Sequence, residues 1–315
     1  MVGSLTFTAR TVPECENFLK IKWVDEEYTT IDKFIKAHAA ASKEELYSCN
    51  VCYRGREKTY REFLDEYVAF SEKLQLLRID SLNLITSPRI KAAWYFINKA
   101  ADCLQNARFF TVKSNLLLDP QDNIPWSHGY IPQFSLRCTY FGTATTWYSN
   151  TFDQLLQAVY WAFELYTNAK DLDNNPYDDT WDVKEIMTSC TYKFVVQELK
   201  NRGYTNVRKL LTSCSEKIKV VRNWANYIKH KGGIEYKYLE PEDPFMIYIM
   251  PAGETASESC MPDERFAIKN FKSPIEIDID EKIEVLKNSH TALHDCITET
   301  IALIDFDKYQ LSFGE

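Results

Sequence analysis

The chain has 315 residues, of which 45% are hydrophobic and 14% aromatic, and this composition excludes wholesale disorder and allows one large domain or two. Its net charge of -8 excludes a globally basic nucleic-acid binder, and no run approaches the ~20 apolar residues of a membrane span. The first residues lack the pattern of a secretory signal, and nine scattered cysteines do not form a disulfide framework. We therefore expect a cytoplasmic protein with reduced thiols and no membrane partner.

Apolar residues at helical spacing predict the first long helices. One such pattern covers residues 60–77, and a second opens at residues 87–88, where proline takes the first helical position. In residues 109–150, prolines, glycines and the alternating TYFGTATTWY instead predict loops and a hairpin. Thr151 with Gln154 has the capping-box pattern and predicts a helix start at that point.

The second half of the chain predicts further helices and a short β insertion. Apolar stripes indicate helices at about 182–200 and 206–231, and the glycine pair that follows the second is typical of a C-cap. FMIYIM and IEIDID have the character of short strands, and a final helix is predicted from Glu281. The fold class that follows is mainly α, an up-and-down helical bundle with a small β insertion before the last helix.

The pattern divides the chain into two regions. Residues 1–86 are predicted to be an N-terminal helical region, with a short helix around residues 31–40. Residues 87–315 are predicted to be the bundle, and the β insertion occupies about residues 234–280 of it.

The segment VRNWANYIKHKGGI, residues 221–234, is rich in basic and amide side chains, as ligand-binding surfaces often are. From residue 200 to residue 233 the chain carries nine basic residues, whereas Glu216 is the only acidic one. On a helix, Asn223, Asn226 or Tyr227, and His230 fall near one face, because positions three, four and seven residues apart align. The segment therefore favours an anionic partner.

A guanidinium and an imidazole together suit the cleavage of RNA without a metal or cofactor. Histidine accepts or returns a proton near neutral pH, and arginine orients a phosphate and stabilises the charge that builds on it. In this hypothesis His230 transfers protons, Arg222 clamps the phosphate, and Asn223 and Asn226 orient the substrate. The lysines that bind and steer the RNA are Lys219, Lys229 and Lys231.

Arg222, Asn223 and His230, on a helix of a bundle, resemble the HEPN superfamily, whose signature is Arg-x(4-6)-His. The resemblance implies a helical bundle, often a homodimer, in which active members form a metal-independent endoribonuclease at the interface of two copies. Many members act in toxin, antiphage defence or stress systems. Here seven residues separate the arginine from the histidine, and an ideal helix places the two about 80° apart. Either the helix is distorted, or Asn223 takes the aligned position.

Other interpretations of the chain stay open. A non-catalytic helical module that dimerises or binds a protein partner through aromatic surface is favoured by the acidic pI of about 5.3 and by the extra residue of spacing. A basic helix end followed by a glycine pair also arises from capping and dipole complementarity alone. A pocket for a nucleotide or another small ligand around residues 125–150 is a third possibility.

Three further patterns suggest metals, and each has a plainer interpretation. His290 and His294 lie one helical turn apart, but His290 falls within an apolar stripe, which favours a packed histidine. DLDNNPYDDTWD, residues 171–182, follows calcium-loop spacing, but Pro176 stands where such a loop needs glycine. The CxxC motif at residues 49–52 has no second pair at zinc spacing. We predict neither a metal nor a cofactor.

Overall fold

The structure is a computed structural model of the chain. It describes residues 19–28, 34, 36–53, 56–79, 85–115, 130–170, 175–178, 181–231, 234–237 and 275–310. Most of these residues are helical, which confirms the prediction of a mainly α fold. Over these ranges every helix is too short or too polar to cross a lipid bilayer.

Where the structure describes it, the N-terminal region combines a small sheet with short helical segments and one longer helix. Its elements are β1 (Leu19–Trp23), β2 (Glu26–Tyr28), α1 (Lys43–Ser48), β3 (Asn50–Tyr53), β4 (Arg56–Thr59) and α2 (Tyr60–Lys73). The strands form an antiparallel sheet in the order β2-β1-β3-β4, in which the buried Ile21 pairs with the buried Val51. Thr59 and Glu62 form a capping box that starts α2, so the sheet leads directly into this helix.

The prediction of an N-terminal helical region missed this sheet. The four strands have only three to five residues each, and β2 (EEY) and β4 (REKT) consist largely of charged residues. Such strands are too short for a period of two to stand out from the sequence. Of the short helix predicted around residues 31–40, the structure describes residue 34 and residues 36–40, and residues 34, 36 and 37 are helical.

Two long antiparallel helices follow. They are α3 (Pro88–Asn115), which begins with its proline as predicted, and α4 (Tyr130–Ala162). At one end of the pair, Arg89 Nη1 donates to the carbonyl of Ala162 over 2.9 Å. At the other end, Arg137 Nε donates to the carbonyl of Ser114 over 2.8 Å. The start of each helix therefore lies beside the end of the other.

Helix α4 corrects the prediction of a hairpin within residues 109–150 and of a helix start at Thr151, because it runs unbroken through both. Hydroxyl groups in TYFGTATTWY donate to carbonyls four residues earlier, as Thr145 does to Phe141 over 2.8 Å. A helix therefore satisfies the polar side chains whose alternation suggested strands. Residues 116–129, where the predicted loops fall, lie outside the described part of the chain.

Four shorter helices come next. They are α5 (Val183–Ser189), α6 (Tyr192–Asn201), α7 (Thr205–Lys217) and α8 (Lys219–Lys231). Each of the single helices predicted for residues 182–200 and 206–231 is thus divided in two. Thr191 starts α6 by accepting a hydrogen bond from the Phe194 amide, and Ile218 departs from helical geometry with φ -99° and ψ 6°. The apolar repeat continues through both breaks, so it did not reveal them.

The last elements are β5 (Glu235–Tyr236), β6 (Glu276–Ile277) and α9 (Ile279–Ile304). The two strands are parallel partners. The strand predicted for IEIDID is correct for two residues, after which Asp278 caps α9 by accepting from the amides of Asp280 and Glu281. FMIYIM and the glycine pair lie outside the described residues.

Gly142 in α4 marks the place where β5 approaches the bundle. A Cβ atom at this position would lie 3.1 Å from the hydroxyl oxygen of Tyr236 and 3.8 Å from Cδ1 of Ile228. Tyr236 is partly buried there, and burial raises the pKa of its phenol. The missing side chain lets the segment after α8 return close against α4.

Candidate nucleic-acid interface

Helix α8 is anchored by one apolar face. Val221, Trp224 and Ala225 are buried, and the ring of Trp224 lies 5.7 Å from that of Phe141 in α4. Burial of these residues fixes the rotation of the helix about its axis, because the apolar stripe has to face the bundle. The opposite face is thereby directed outward from a rigid element.

The outward face carries the polar residues that the spacing predicts there. Lys219, Asn223, Asn226 and His230 are all exposed, and they follow one another at intervals of four, three and four residues. Such intervals align side chains along one stripe of an α-helix. We call these four residues the polar face of α8. In the described part of the chain, His230 has no hydrogen-bond or ion-pair partner.

Arg222 is held by neighbouring helices instead of being presented to solvent. Its Nη2 atom lies 3.7 Å from Oδ1 of Asp153. Its guanidinium lies 4.8 Å from the ring centroid of Phe152 and 5.7 Å from that of Tyr192. The side chain is 24% exposed, and its buried Nε has no hydrogen-bond partner within the ranges described. The arginine therefore stabilises the contact of α8 with α4 and α6.

The structure does not bring Arg222 and His230 together. Helix α8 continues without a break from the first to the second, so the eight-residue step moves the side chain ~12 Å along the axis and ~80° around it. Asn223 is the residue that aligns with His230, since seven residues bring the helix back to within about 20° of the same direction. Of the two alternatives left by the sequence, the undistorted helix is the one observed.

The three predicted substrate-binding lysines lie on or beside the polar face. Lys229 Nζ donates to Oδ1 of Asn150 over 2.9 Å, and Lys219 lies 3.6 Å from Glu216. Lys231 lies 5.8 Å from the ring centroid of Tyr227. All three lysines are exposed, and exposed pairs of this kind contribute little, so their charges stay accessible to a partner.

Asp153 is a site residue that the sequence did not suggest. Desolvation raises the pKa of its carboxyl group, while Arg222 and Lys229 act in the opposite direction. Together with Asn150, it lies on α4, some seventy positions before the basic helix. Only the packing of α4 against α8 brings these groups together, so no local pattern could have revealed them.

Helices α7 and α8 form a basic unit on an acidic chain. Between Thr205 and Lys231 the sequence holds seven basic residues and a single acidic one, Glu216, although the whole chain has a net charge of -8. Lys209 and Lys217 of α7 are exposed, as are the lysines of α8. Positive charge is thus concentrated on the two helices that carry the polar face.

His290 is a packed core histidine, away from the polar face. Its Nε2 atom lies 2.7 Å from the carbonyl oxygen of Gln75, and its ring is 6.0 Å from that of Tyr148. Burial lowers the pKa of the imidazole to about 4. The neutral ring donates its Nε2 proton to the carbonyl. His290 is therefore the packed histidine that the apolar stripe favoured over a metal ligand.

Within the residues that the structure describes, the other two metal patterns gain no further ligands. In the described residues no three His, Cys, Asp or Glu side chains lie close enough to hold a metal ion. Cys49 is buried at the end of α1 and Cys52 lies in β3. Residues 171–174 and 179–180 of the calcium-like stretch lie outside the described residues.

No protein-family model, curated protein or solved structure matches this chain. The resemblance to the HEPN superfamily therefore rests on residues 222–230 and on the helical architecture, and it stays a prediction. The polar face of α8 is the feature of the described residues that bears on function.

Proposed function

We propose that the chain binds RNA through the polar face of α8 and the adjoining basic surface of α7, as a HEPN-like protein of a defence or stress system. The observation that carries the proposal is the exposure of Lys219, Asn223, Asn226 and His230 along one stripe of an anchored helix. Exposed lysines on both helices extend the stripe sideways.

The chemistry of these side chains matches single-stranded RNA. Lysine ammonium groups neutralise phosphates and release counterions, which supplies affinity without sequence preference. Asparagine amides donate and accept hydrogen bonds, so they can pair with ribose hydroxyls and base edges. A rigid helix presents both kinds of group at fixed spacing, which lowers the entropic cost of binding.

The position of Arg222 favours binding over cleavage. Its ion pair with Asp153 and its stacking on Phe152 engage the guanidinium within the fold, on a different side of α8 from His230. A phosphate held between the two side chains would have to span their separation along the helix. Arg222 therefore serves as a support for α8 in this proposal.

A metal-independent endoribonuclease is the second candidate, and the exposed His230 favours it. An imidazole open to solvent is free to act as general base on a ribose hydroxyl. A cleavage site would then need a second cation, and a homodimer supplies one when the same helix of another copy faces the first. Cleavage that persists in EDTA and is lost in His230→Ala would establish this activity.

Binding is tested with a fluorescent single-stranded RNA and the full chain, by anisotropy over a range of salt concentrations. The variant combines Lys219→Ala, Lys229→Ala and Lys231→Ala. The control combines three exposed lysines elsewhere, Lys73→Ala, Lys91→Ala and Lys99→Ala, which remove the same charge. We expect the first variant to bind more weakly and its salt slope to fall by roughly 2, about 0.7 for each lost phosphate contact.

Two outcomes would contradict the proposal. Equal loss of affinity in the variant and in the control would show that net charge alone governs binding. The proposal would also fail if the wild-type chain did not bind RNA at low salt. The alternative would then be a non-catalytic protein-interaction module, because apolar contacts between proteins do not weaken steeply with salt as phosphate contacts do.

A further inference from the structure

A cavity of about 520 Å³ lies between α7 and α9, apart from the polar face of α8. Its lining includes Lys209 and Lys217 from α7, and Asp295 and Glu299 from α9. Cys214 and Cys296 also line the cavity, one from each helix. Two thiols from different helices therefore share one solvent-connected space.

Cys214 packs against the turn of α9 that carries Cys296. Sγ of Cys214 lies 3.7 Å from the carbonyl oxygen of Ala292, which is one turn before Cys296 on α9. Both side chains are buried, with 3% and 1% exposure, and both are free thiols. Packing of α7 against α9 holds the pair in this arrangement.

We propose that Cys214 and Cys296 form a modification site, at which a hydroperoxide that enters the cavity converts the two thiols into a disulfide between α7 and α9. This proposal does not depend on RNA binding. The cavity supplies the path for the oxidant, and the packing of Cys214 against the turn that carries Cys296 supplies the proximity that a disulfide requires.

The reaction proceeds in two balanced steps when hydrogen peroxide is the oxidant. The sulfur of Cys214 attacks one peroxide oxygen and the O–O bond breaks, which gives a sulfenic acid on Cys214 and one water molecule. The sulfur of Cys296 then attacks the sulfenic sulfur, and the departing hydroxyl leaves as a second water with the proton of the Cys296 thiol. The thiols lose two electrons in total, and the peroxide gains them.

Exposure assigns the order of the two steps, because Cys214 is 3% exposed and Cys296 is 1% exposed where the two line the cavity. The neighbouring Cys214 and burial also raise the pKa of the Cys296 thiol. A thiol held in the protonated form is a poor first nucleophile. Cys214 therefore reacts with the peroxide, and Cys296 resolves the sulfenic acid.

The test uses the full wild-type chain, reduced, desalted and treated with hydrogen peroxide, then alkylated and digested for mass spectrometry. We expect a cross-linked peptide pair that contains Cys214 and Cys296 and has lost two hydrogen atoms, and that disappears after treatment with dithiothreitol. Oxidised protein should melt roughly 5–10 °C higher than reduced protein, because the bond closes a long loop.

Matched variants sharpen the result. Cys214→Ser and Cys296→Ser should each prevent the cross-link, whereas Cys103→Ser, which removes another buried thiol, should retain it. Even if a variant fails to fold, the peptide map of the wild-type chain still shows whether the cross-link forms. Oxidation of the wild-type chain at other cysteines without this cross-link, or no oxidation of Cys214 at all, would overturn the proposal.

Discussion

The polar groups between the long helices and those on α8 differ in how they are partnered. In the core, the buried hydroxyls of Thr111 and Tyr148 lie 2.9 Å apart, and the buried Arg137 contacts Asp280 at 2.7 Å. On α8, Asn223 and His230 are exposed. Buried polar groups need partners within the fold, because an unpaired one costs free energy. The core groups are therefore structural, and those of α8 are available to a ligand.

Arg222 lies between these two extremes. It is partly buried, as a structural residue is, but it belongs to the helix that carries the polar face. Residue type and position on a helix therefore do not determine what a side chain does. Its contacts within the fold determine whether it is structural or available to a ligand. Four variants, ordered from the largest expected effect to the smallest, test this distinction.

Arg137→Met should have the largest effect on stability. The substitution keeps an unbranched chain but leaves the Asp280 carboxylate and the Ser114 carbonyl without the guanidinium that contacts them. Arg137 is buried but the Asp280 side chain is 32% exposed, so the loss of unfolding free energy should be about 3 kcal/mol, the lower end of the range for buried pairs. Urea denaturation measures the loss, and Lys99→Met on the surface of α3 is the control. A loss of unfolding free energy below about 1 kcal/mol would show that Arg137 is no more structural than an exposed residue.

His290 should make the unfolding free energy depend on pH. Its folded pKa of about 4 lies below the value of ~6.5 in an unfolded chain, so between these values the unfolded chain binds the proton first. Stability should therefore fall as the pH drops from ~6.5 to ~4, by roughly 3 kcal/mol from this group. His290→Gln should remove that part of the slope in urea titrations. An unchanged slope in the variant would contradict the burial argument.

Arg222→Met should have an intermediate effect. Loss of the cation–π contacts and of a long ion pair to Asp153 should lower the unfolding free energy by about 1–2 kcal/mol. RNA affinity should change less than in the triple lysine variant, since Arg222 is a support in our proposal. A large loss of RNA affinity with unchanged stability would instead restore it as a phosphate clamp.

Asn223→Ala with Asn226→Ala should have the smallest effect on stability. Both side chains are exposed, and alanine favours the helix, so the unfolding free energy should stay within about 0.5 kcal/mol of wild type. RNA affinity measured by anisotropy should nevertheless fall. Loss of stability without loss of affinity would assign these residues to the fold and weaken the proposed interface.

The helices whose apolar repeat is long and regular were predictable. Helices α2, α3 and α9 appear close to where the spacing places them, because many consecutive turns repeat the same pattern. The part of α4 from Thr151 onward was predicted as a helix, but the part before it was missed because hydroxyl residues and a glycine interrupt the apolar repeat. The hydroxyl groups bond to the preceding turn, and this is visible only once the helix exists.

The candidate site was predictable only in part. The spacing within residues 219–231 defines the polar face without knowledge of the fold, since it depends on one helix. The neighbours of Arg222 depend on three helices. Phe152, Asp153 and Tyr192 are remote in sequence, so nothing near Arg222 indicates that its guanidinium is engaged. The residues that share one face of a helix could be predicted from the sequence, whereas contacts between residues of different helices could not.

The absence of a side chain at Gly142 allows close contact between α4, β5 and α8. A methyl group at this position would meet the Tyr236 hydroxyl, which would have to yield by a few tenths of an ångström. The same methyl group would lie 3.8 Å from Cδ1 of Ile228, so a larger side chain at this position would press on both β5 and α8. The seating of the helix that carries the polar face can thus be altered from α4, without changing any of the four residues of that face.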